Sequence, residues 1–110
     1  MDAARVDETL LALADPVRRR AVELLAERPH RAGELAQTIG VTPSAMSKHL
    51  RTLRQHHVVT ESHPAYDARV RVYALASAPM AELRSWLAAT ERGWTEQLDA
   101  FADHVERRSQ

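Results

Sequence analysis

The chain contains no cysteine, which excludes disulfide bonds, thiolate metal sites and cysteine nucleophiles. It also lacks any apolar run of the length that a signal peptide or a membrane-spanning helix needs. We therefore expect a cytoplasmic protein with no membrane partner. Its 110 residues suffice for one modest hydrophobic core, which predicts a single domain.

The chain has no net charge at pH 7 either, but its charges are unevenly distributed. Between residues 28 and 73, seven Lys and Arg residues stand against three acidic residues. The segments on either side each carry four Arg and six acidic residues. The positive middle segment is where a phosphate backbone would be met. Imbalances of this size also occur in proteins that bind no nucleic acid, so the pattern alone does not establish DNA binding.

The N-terminal part of the chain has apolar residues at helical spacing. A short first helix carries the apolar stripe Val6, Leu10, Leu13 and Ala14. Asp15 followed by Pro16 is a start signal for a second helix, which should end near Ala26. The buried positions of this second helix are Val17, Ala21, Leu24 and Leu25.

The segment from about Ala32 to His56 has the pattern of a helix-turn-helix. Its first helix covers Ala32 to Ile39, and Gly40 permits the left-handed backbone that the turn requires. Thr42 and Pro43 then predict the cap and the first turn of the second helix, which continues to the end of the segment.

The outer face of this second helix has residue types that suit a DNA major groove. Hydroxyls and short side chains lie near its N-terminus and cations lie further along. The candidate DNA-binding residues are Thr42, Pro43, Ser44, Ser47, Lys48, His49, Arg51 and Arg54. The N-terminal amides of the helix, with Thr42, can also meet a phosphate. The alternative is a helical hairpin with a solvated polar face.

Two β-branched stretches follow, residues 58–62 and 70–75, and the loop between them predicts a hairpin. A hairpin in this place makes a wing, from which Arg69 and Arg71 would reach the minor groove or the phosphates. The alternatives are that Arg71 only pairs with a nearby acidic residue and that Tyr73 only closes the core.

A final helix is predicted from about residue 78 to residue 107. Along it a near-heptad seam is formed by Leu83, Leu87, Thr90, Trp94, Leu98, Phe101 and Val105. A helix of roughly 30 residues is about 45 Å long, which is too long for the seam to pack wholly within one copy. A second copy is the simplest cover, and Val6, Leu10 and Leu13 of the first helix would complete the dimer interface.

Three of these motifs resemble those of ArsR/SmtB-type winged helix-turn-helix repressors. The stretches GELA and GVTPSAMSKHLRTLR, residues 33–36 and 40–54, resemble the family's core. LADPVRR, residues 13–19, resembles its opening motif, and VRVYAL, residues 70–75, its wing. The resemblance covers about residues 9–76 and implies a mostly α fold of five helices with a small β-hairpin wing. It also implies a homodimer that binds double-stranded operator DNA of dyad symmetry and usually represses transcription.

The sequence departs from the family pattern at positions that bear on capping and sensing. Arg31 stands where a Ser or Thr usually caps the third helix. His57 stands where glycine is usual, which predicts a histidine in the left-handed conformation. The cysteines with which the best-known members bind metals are absent. The long final helix, with Trp86 and Trp94, is similar to that of a subgroup without a recognised metal motif.

Histidines and carboxylates offer poor alternatives for a metal site. Asp99 and Asp103 share a helix face, but His104 is the single histidine beside them, and the adjacent His56 and His57 tend to point apart. We therefore expect no metal and no cofactor. We also expect no enzymatic activity, because Ser44, Ser47 and His49 share one helix without a strained elbow or oxyanion glycines. The rival interpretations are a metal-responsive repressor with His and Asp ligands and a winged helix that binds proteins. The sequence leaves open whether a small-molecule effector exists.

Overall fold

The computed structural model describes residues 3–109, with side chains for residues 5–108. Its elements are α1 Ala3–Ala12, α2 Pro16–Glu27, β1 His30–Arg31, α3 Ala32–Ile39, α4 Pro43–Gln55, β2 Val59–Ser62, β3 Val72–Leu75 and α5 Ser77–Ser109. The strands form one antiparallel sheet in the order β1-β3-β2. The predicted five helices and wing are confirmed. No helix in the described range is long and apolar enough to cross a membrane.

Both predicted helix starts have the expected caps. The Asp15 carboxylate accepts hydrogen bonds from the backbone N–H groups of Val17 at 2.8 Å and Arg18 at 3.2 Å. Thr42 Oγ1 accepts one from Ala45 N–H at 3.1 Å. The first turn of a helix has N–H groups without carbonyl partners, and these side chains satisfy some of them. The caps therefore determine where α2 and α4 begin.

The turn between α3 and α4 depends on the backbone at Gly40. Gly40 has a φ of 86°, and the N–H groups of Gly40 and Val41 both donate to the carbonyl of Ala36, at 2.9 and 3.1 Å. A side chain at this φ would be strained, so glycine is the residue that permits the reversal. His57 has a φ of 63°, which confirms the predicted left-handed histidine after α4.

The hydrophobic core lies between α2, α3, α4 and the sheet. It consists of Ala12, Ala21, Leu24, Leu25, Leu35, Ala36, Met46, Leu50, Leu53, Val58, Val59 and Tyr73. Three of these residues, Met46, Leu50 and Leu53, lie on α4 and are fully buried. Burying each such side chain contributes about 1.5–3 kcal/mol. This packing determines which face of α4 remains outside.

The apolar stripe predicted on the first helix is only partly buried. The buried residues of this helix are Val6, Thr9 and Ala12, whereas Leu10 is 41% exposed. Thr9 tolerates full burial because its hydroxyl donates to the carbonyl of Arg5 at 3.0 Å and leaves no unsatisfied polar group. The apolar spacing could not reveal a buried threonine, and the exposed Leu10 stays a predicted dimer contact.

The sheet has one strand more than the predicted hairpin. Strand β1 pairs with β3 in the register His30 with Tyr73 and Arg31 with Val72. A strand of two residues has no alternation that a sequence pattern could reveal. The pairing ties the start of α3 to the wing, which matters for the position of Arg31.

Candidate nucleic-acid interface

The outer face of α4 is exposed and its opposite face is buried. Pro43, Ser44, Ser47, Lys48 and Arg51 are all exposed. Among the described residues, neither Lys48 nor Arg51 forms an ion pair. Thr42, the remaining candidate at the N-terminus of α4, uses its hydroxyl to cap the helix. The face therefore presents two cations that no carboxylate neutralises by direct contact.

His49 lies apart from this exposed set. Its side chain is 23% exposed, and its Nδ1 lies 3.4 Å from Arg18 Nη1 and 3.9 Å from Asp15 Oδ1. The ring thus contacts the start of α2. Partial desolvation opposes ionisation of Asp15, but the backbone hydrogen bonds from Arg18 and Val17 and the charges of His49 and Arg18 outweigh it and lower its pKa.

Arg54 is held by a carboxylate that the sequence analysis did not single out. Its Nη1 donates to Glu61 Oε2 at 2.7 Å, and the Tyr73 hydroxyl donates to the same oxygen at 2.9 Å. Glu61 is only 14% exposed at its side chain, and His63 Nε2 lies 3.4 Å from its other oxygen. This network joins α4 to strands β2 and β3. Its members are up to 19 residues apart in the chain, so no local sequence pattern indicated this network.

The pKa of Glu61 is lowered in the folded protein. Desolvation by partial burial acts against the ionised form, but the hydrogen bonds from Tyr73 and Arg54 and the nearby charges of Arg54 and Arg71 prevail. The pKa of Tyr73 is raised by burial and by its bond to the Glu61 carboxylate. The carboxylate therefore remains charged in the folded state.

A cleft separates α4 from the sheet and gathers most of the candidate cations. It has a volume of about 300 Å³ and is lined by Ser47, Arg51, Arg54, Gln55, Glu61, Arg71 and Tyr73. Three arginines face one carboxylate there, which leaves an excess of positive charge. Guanidinium groups in such an arrangement are suited to phosphate oxygens.

The two wing cations lie in different settings. Arg69, in the loop before β3, has a side chain that is 92% exposed, and its Nε donates to Asp67 Oδ1 at 3.2 Å. Arg71 is also exposed and lines the cleft beside α4. The structure thus brings Arg71 together with Ser47 and Arg51 in this cleft, whose lining does not include Arg69.

The predicted dimer residues divide into three groups by exposure. The exposed ones, with their exposed fractions, are Leu10 41%, Leu87 51%, Trp94 66%, Leu98 58%, Phe101 66% and Val105 44%. Leu13 and Leu83 are half-buried. Val6 is 3% exposed within one copy, so a partner would gain little by contacting it. Among the described residues, most of the large exposed hydrophobic side chains therefore lie along the apolar seam of α5.

The histidines and carboxylates do not converge on a metal-sized site. Within the described residues, no group of three or more His, Asp or Glu side chains is arranged to hold a metal ion. His63 Nδ1 instead contacts the carbonyl of Val70 at 3.0 Å, inside the wing.

Low pH should weaken the contacts of the Glu61 carboxylate and so lower the stability of the fold. The variant Glu61→Gln should lack this pH dependence. Because the folded pKa of Glu61 lies below its ordinary value of 4.5, the ionised carboxylate stabilises the fold above that value. This contribution is lost as the pH falls through the folded pKa. Urea unfolding at several pH values should show wild type more stable than Glu61→Gln above about pH 5, with the difference vanishing in acid.

Glu23→Gln is the matched control for this experiment. Glu23 also pairs with an arginine, Arg20, at 3.1 Å, but its side chain is 64% exposed. An exposed pair of this kind contributes little to stability, so this variant should follow the wild type closely. A Glu61→Gln deficit of the same size at every pH would contradict the assigned role of the ionised carboxylate.

Comparison with known proteins identifies the family. The family model of the bacterial regulatory proteins of the arsR family matches residues 15–61, which span α2, β1, α3, α4 and all but the last residue of β2. The HTH-type transcriptional regulator Rv2034 of Mycobacterium tuberculosis is 38% identical over 100 residues, covering 91% of this chain and 88% of the relative. The names of such relatives are those of transcriptional regulators, not of enzymes.

Solved structures agree in fold. The crystal structure of the ArsR family transcriptional regulator RHA00566 superposes with a TM-score of 0.70 at 26% identity, over 83% of this chain and 97% of that one. HlyU from Vibrio cholerae gives a TM-score of 0.65 at 25% identity, over 86% and 99% of the two chains. With the cap, the turn, the exposed α4 face and the wing all in place, the chain belongs to the ArsR family of DNA-binding, winged helix-turn-helix transcriptional regulators.

Proposed function

We propose that the protein is a homodimeric repressor that binds an inverted-repeat operator, with α4 in the major groove and the wing beside it. The observation that carries this proposal is the division of α4 into two faces. Leu50 and Met46 are fully buried, while Ser47, Lys48 and Arg51 are exposed. A helix anchored on one side and polar and cationic on the other can enter a groove without rearranging the core.

The long helix α5 supports the dimer. Its 33 residues extend about 50 Å and account for much of the molecule's 71 Å longest dimension. Trp94 and Phe101, each 66% exposed, lie on one seam of this helix. A contiguous exposed apolar seam marks an interaction surface. Two identical seams can cover each other about a two-fold axis, which is the commonest arrangement of homo-oligomers.

The two-fold axis has a consequence for the DNA site. Two copies of α4 that enter successive major grooves on one side of the duplex lie about 34–36 Å apart. The operator would then be an inverted repeat whose half-sites are one helical turn apart. A dimer bound over a promoter in the cytoplasm would exclude the polymerase, which is the basis of the proposed repression.

Binding to DNA with altered half-site spacing tests this proposal. Genomic fragments that the protein selects would provide the operator. The affinity of the protein for this operator would then be compared with its affinity for a single half-site and for an operator with altered half-site spacing. Adding about five base pairs turns one half-site to the opposite side of the duplex, so we expect affinity to fall to that of the single half-site. Equal binding to all three DNAs would contradict a dimer of fixed geometry.

A further inference from the structure

Arg31 lies at the base of the wing because of the strand β1. It pairs with Val72 in the antiparallel register, and the next residue, Ala32, donates its N–H to the carbonyl of Arg71 at 3.4 Å. Its own N–H donates to Glu34 Oε1 at 3.0 Å, which caps α3 without any help from the Arg31 side chain. The guanidinium is therefore not needed for capping.

The Arg31 side chain crosses the wing loop to a tyrosine. Its Nη2 donates to the Tyr66 hydroxyl at 2.6 Å, and Tyr66 is 74% exposed. The pairing joins residues 35 positions apart, both on the surface. A phenol hydroxyl is neutral, so this contact orients the guanidinium without forming an ion pair, although the charge of Arg31 contributes to lowering the pKa of the Asp67 carboxyl group.

Nearby carboxylates are engaged by other arginines. Glu34 Oε2 binds Arg28 at 3.0 Å, and Asp67 Oδ1 binds Arg69 at 3.2 Å. Over the part of the chain that the structure describes, no carboxylate oxygen lies within 4.0 Å of the Arg31 guanidinium. A guanidinium held by a neutral partner can exchange that partner for an anion without breaking an ion pair.

A groove connects Arg31 with the exposed face of α4. Its volume is about 540 Å³, and Arg31, Ser47, Arg69 and Arg71 all line it. Ser47 and Arg71 also line the cleft beside α4, so the two depressions adjoin along these residues. A DNA phosphate backbone that follows the cationic cleft past Ser47 would therefore next reach Arg31.

We propose that Arg31 is an additional DNA-contacting residue, which binds a backbone phosphate in this groove while Tyr66 holds its guanidinium in position. The inference rests on the DNA-binding surface proposed above and extends it from α4 to the start of α3. A phosphate contact of this kind strengthens binding and sets the position of the duplex without reading a base. Arg31 would thus add affinity to the wing side of each half-site.

The variant Arg31→Gln tests the proposal through the salt dependence of operator binding. Each phosphate contact contributes about 0.9 to the slope of log affinity against log salt, so losing one per copy should reduce the slope by about 1.8 for a dimer. Affinity at low salt should fall about tenfold, and equally for operators with different bases in the half-site. Tyr66→Phe should weaken binding less and leave the slope unchanged, because the charge remains.

Two further variants complete the test. Arg20→Gln, which removes an exposed arginine of α2, should match wild type in both affinity and slope. Arg31→Lys should restore the slope, because the charge rather than the fork of donors determines it. An Arg31→Gln protein that folds normally and retains the wild-type slope would overturn the proposal.

Failure of the inference and failure of the proposed function are distinguishable. The Arg31→Gln slope can be measured on DNA with a single half-site, where a loss of about 0.9 is expected whether or not the protein dimerises. An intact Arg31 effect with no preference for the inverted repeat would refute the dimer and leave this inference standing. A preference for the inverted repeat with no Arg31 effect would refute this inference alone.

Discussion

Phe101→Glu should convert the protein to a monomer and lower its operator affinity by about two to four orders of magnitude. Phe101 is 66% exposed in one copy, so a charge there leaves the fold of that copy intact. Across a two-fold interface the new carboxylates of both copies would be buried without partners, which is strongly unfavourable. The second half-site would then no longer be bound intramolecularly, and the advantage of about 10² to 10⁴ from linked sites would disappear.

Light scattering coupled to size-exclusion chromatography would give the oligomeric state, and a DNA titration would give the affinity. Ala100→Glu is the matched control, because it adds the same charge one residue earlier on α5 but off the apolar seam. We expect that control to remain dimeric and to bind the operator as wild type does. A Phe101→Glu protein that remains dimeric would show that α5 does not form the interface.

Arg51→Gln should weaken operator binding by about thirtyfold or more. Arg51 is exposed on the outer face of α4 and forms no ion pair among the described residues. A bidentate contact with a guanine contributes about 1–3 kcal/mol, and a symmetric dimer loses one such contact in each half-site. Since each 1.4 kcal/mol is a factor of ten in affinity, the two losses combine to the stated effect.

The pattern of the loss identifies the kind of contact. If Arg51 reads a base, Arg51→Gln relaxes the preference at one position of each half-site, whereas a phosphate contact lowers affinity for every sequence and reduces the salt slope. Lys48→Ala is expected to follow the phosphate pattern, as an ammonium group is a point charge without a planar fork. Wild-type affinity for both variants would place the DNA elsewhere on the protein.

The helix-turn-helix was predictable because its signals are local. Asp15, Gly40 and Thr42 each act on backbone groups no more than four residues away, and the structure has all three in their predicted roles. The buried residues Met46, Leu50 and Leu53 of α4 recur at helical spacing in the sequence, since packing on one side of a helix follows its own period. The exposed face of α4 follows from the buried one, so its candidate residues could be read from the sequence as well. His49 is the exception, because its ring contacts α2.

By itself the sequence therefore determined the helices, their caps, the turn and the exposed face of α4. Only the tertiary structure decided the pairing of β1 with β3, the contact of Arg54 with Glu61 and the contact of Arg31 with Tyr66. These contacts join segments that are distant in the chain, so they depend on how separate elements pack and not on the preferences of neighbouring residues. The wing shows the difference plainly, because its hairpin strands β2 and β3 were predictable, whereas the convergence of Arg51, Arg54 and Arg71 in one cleft was not.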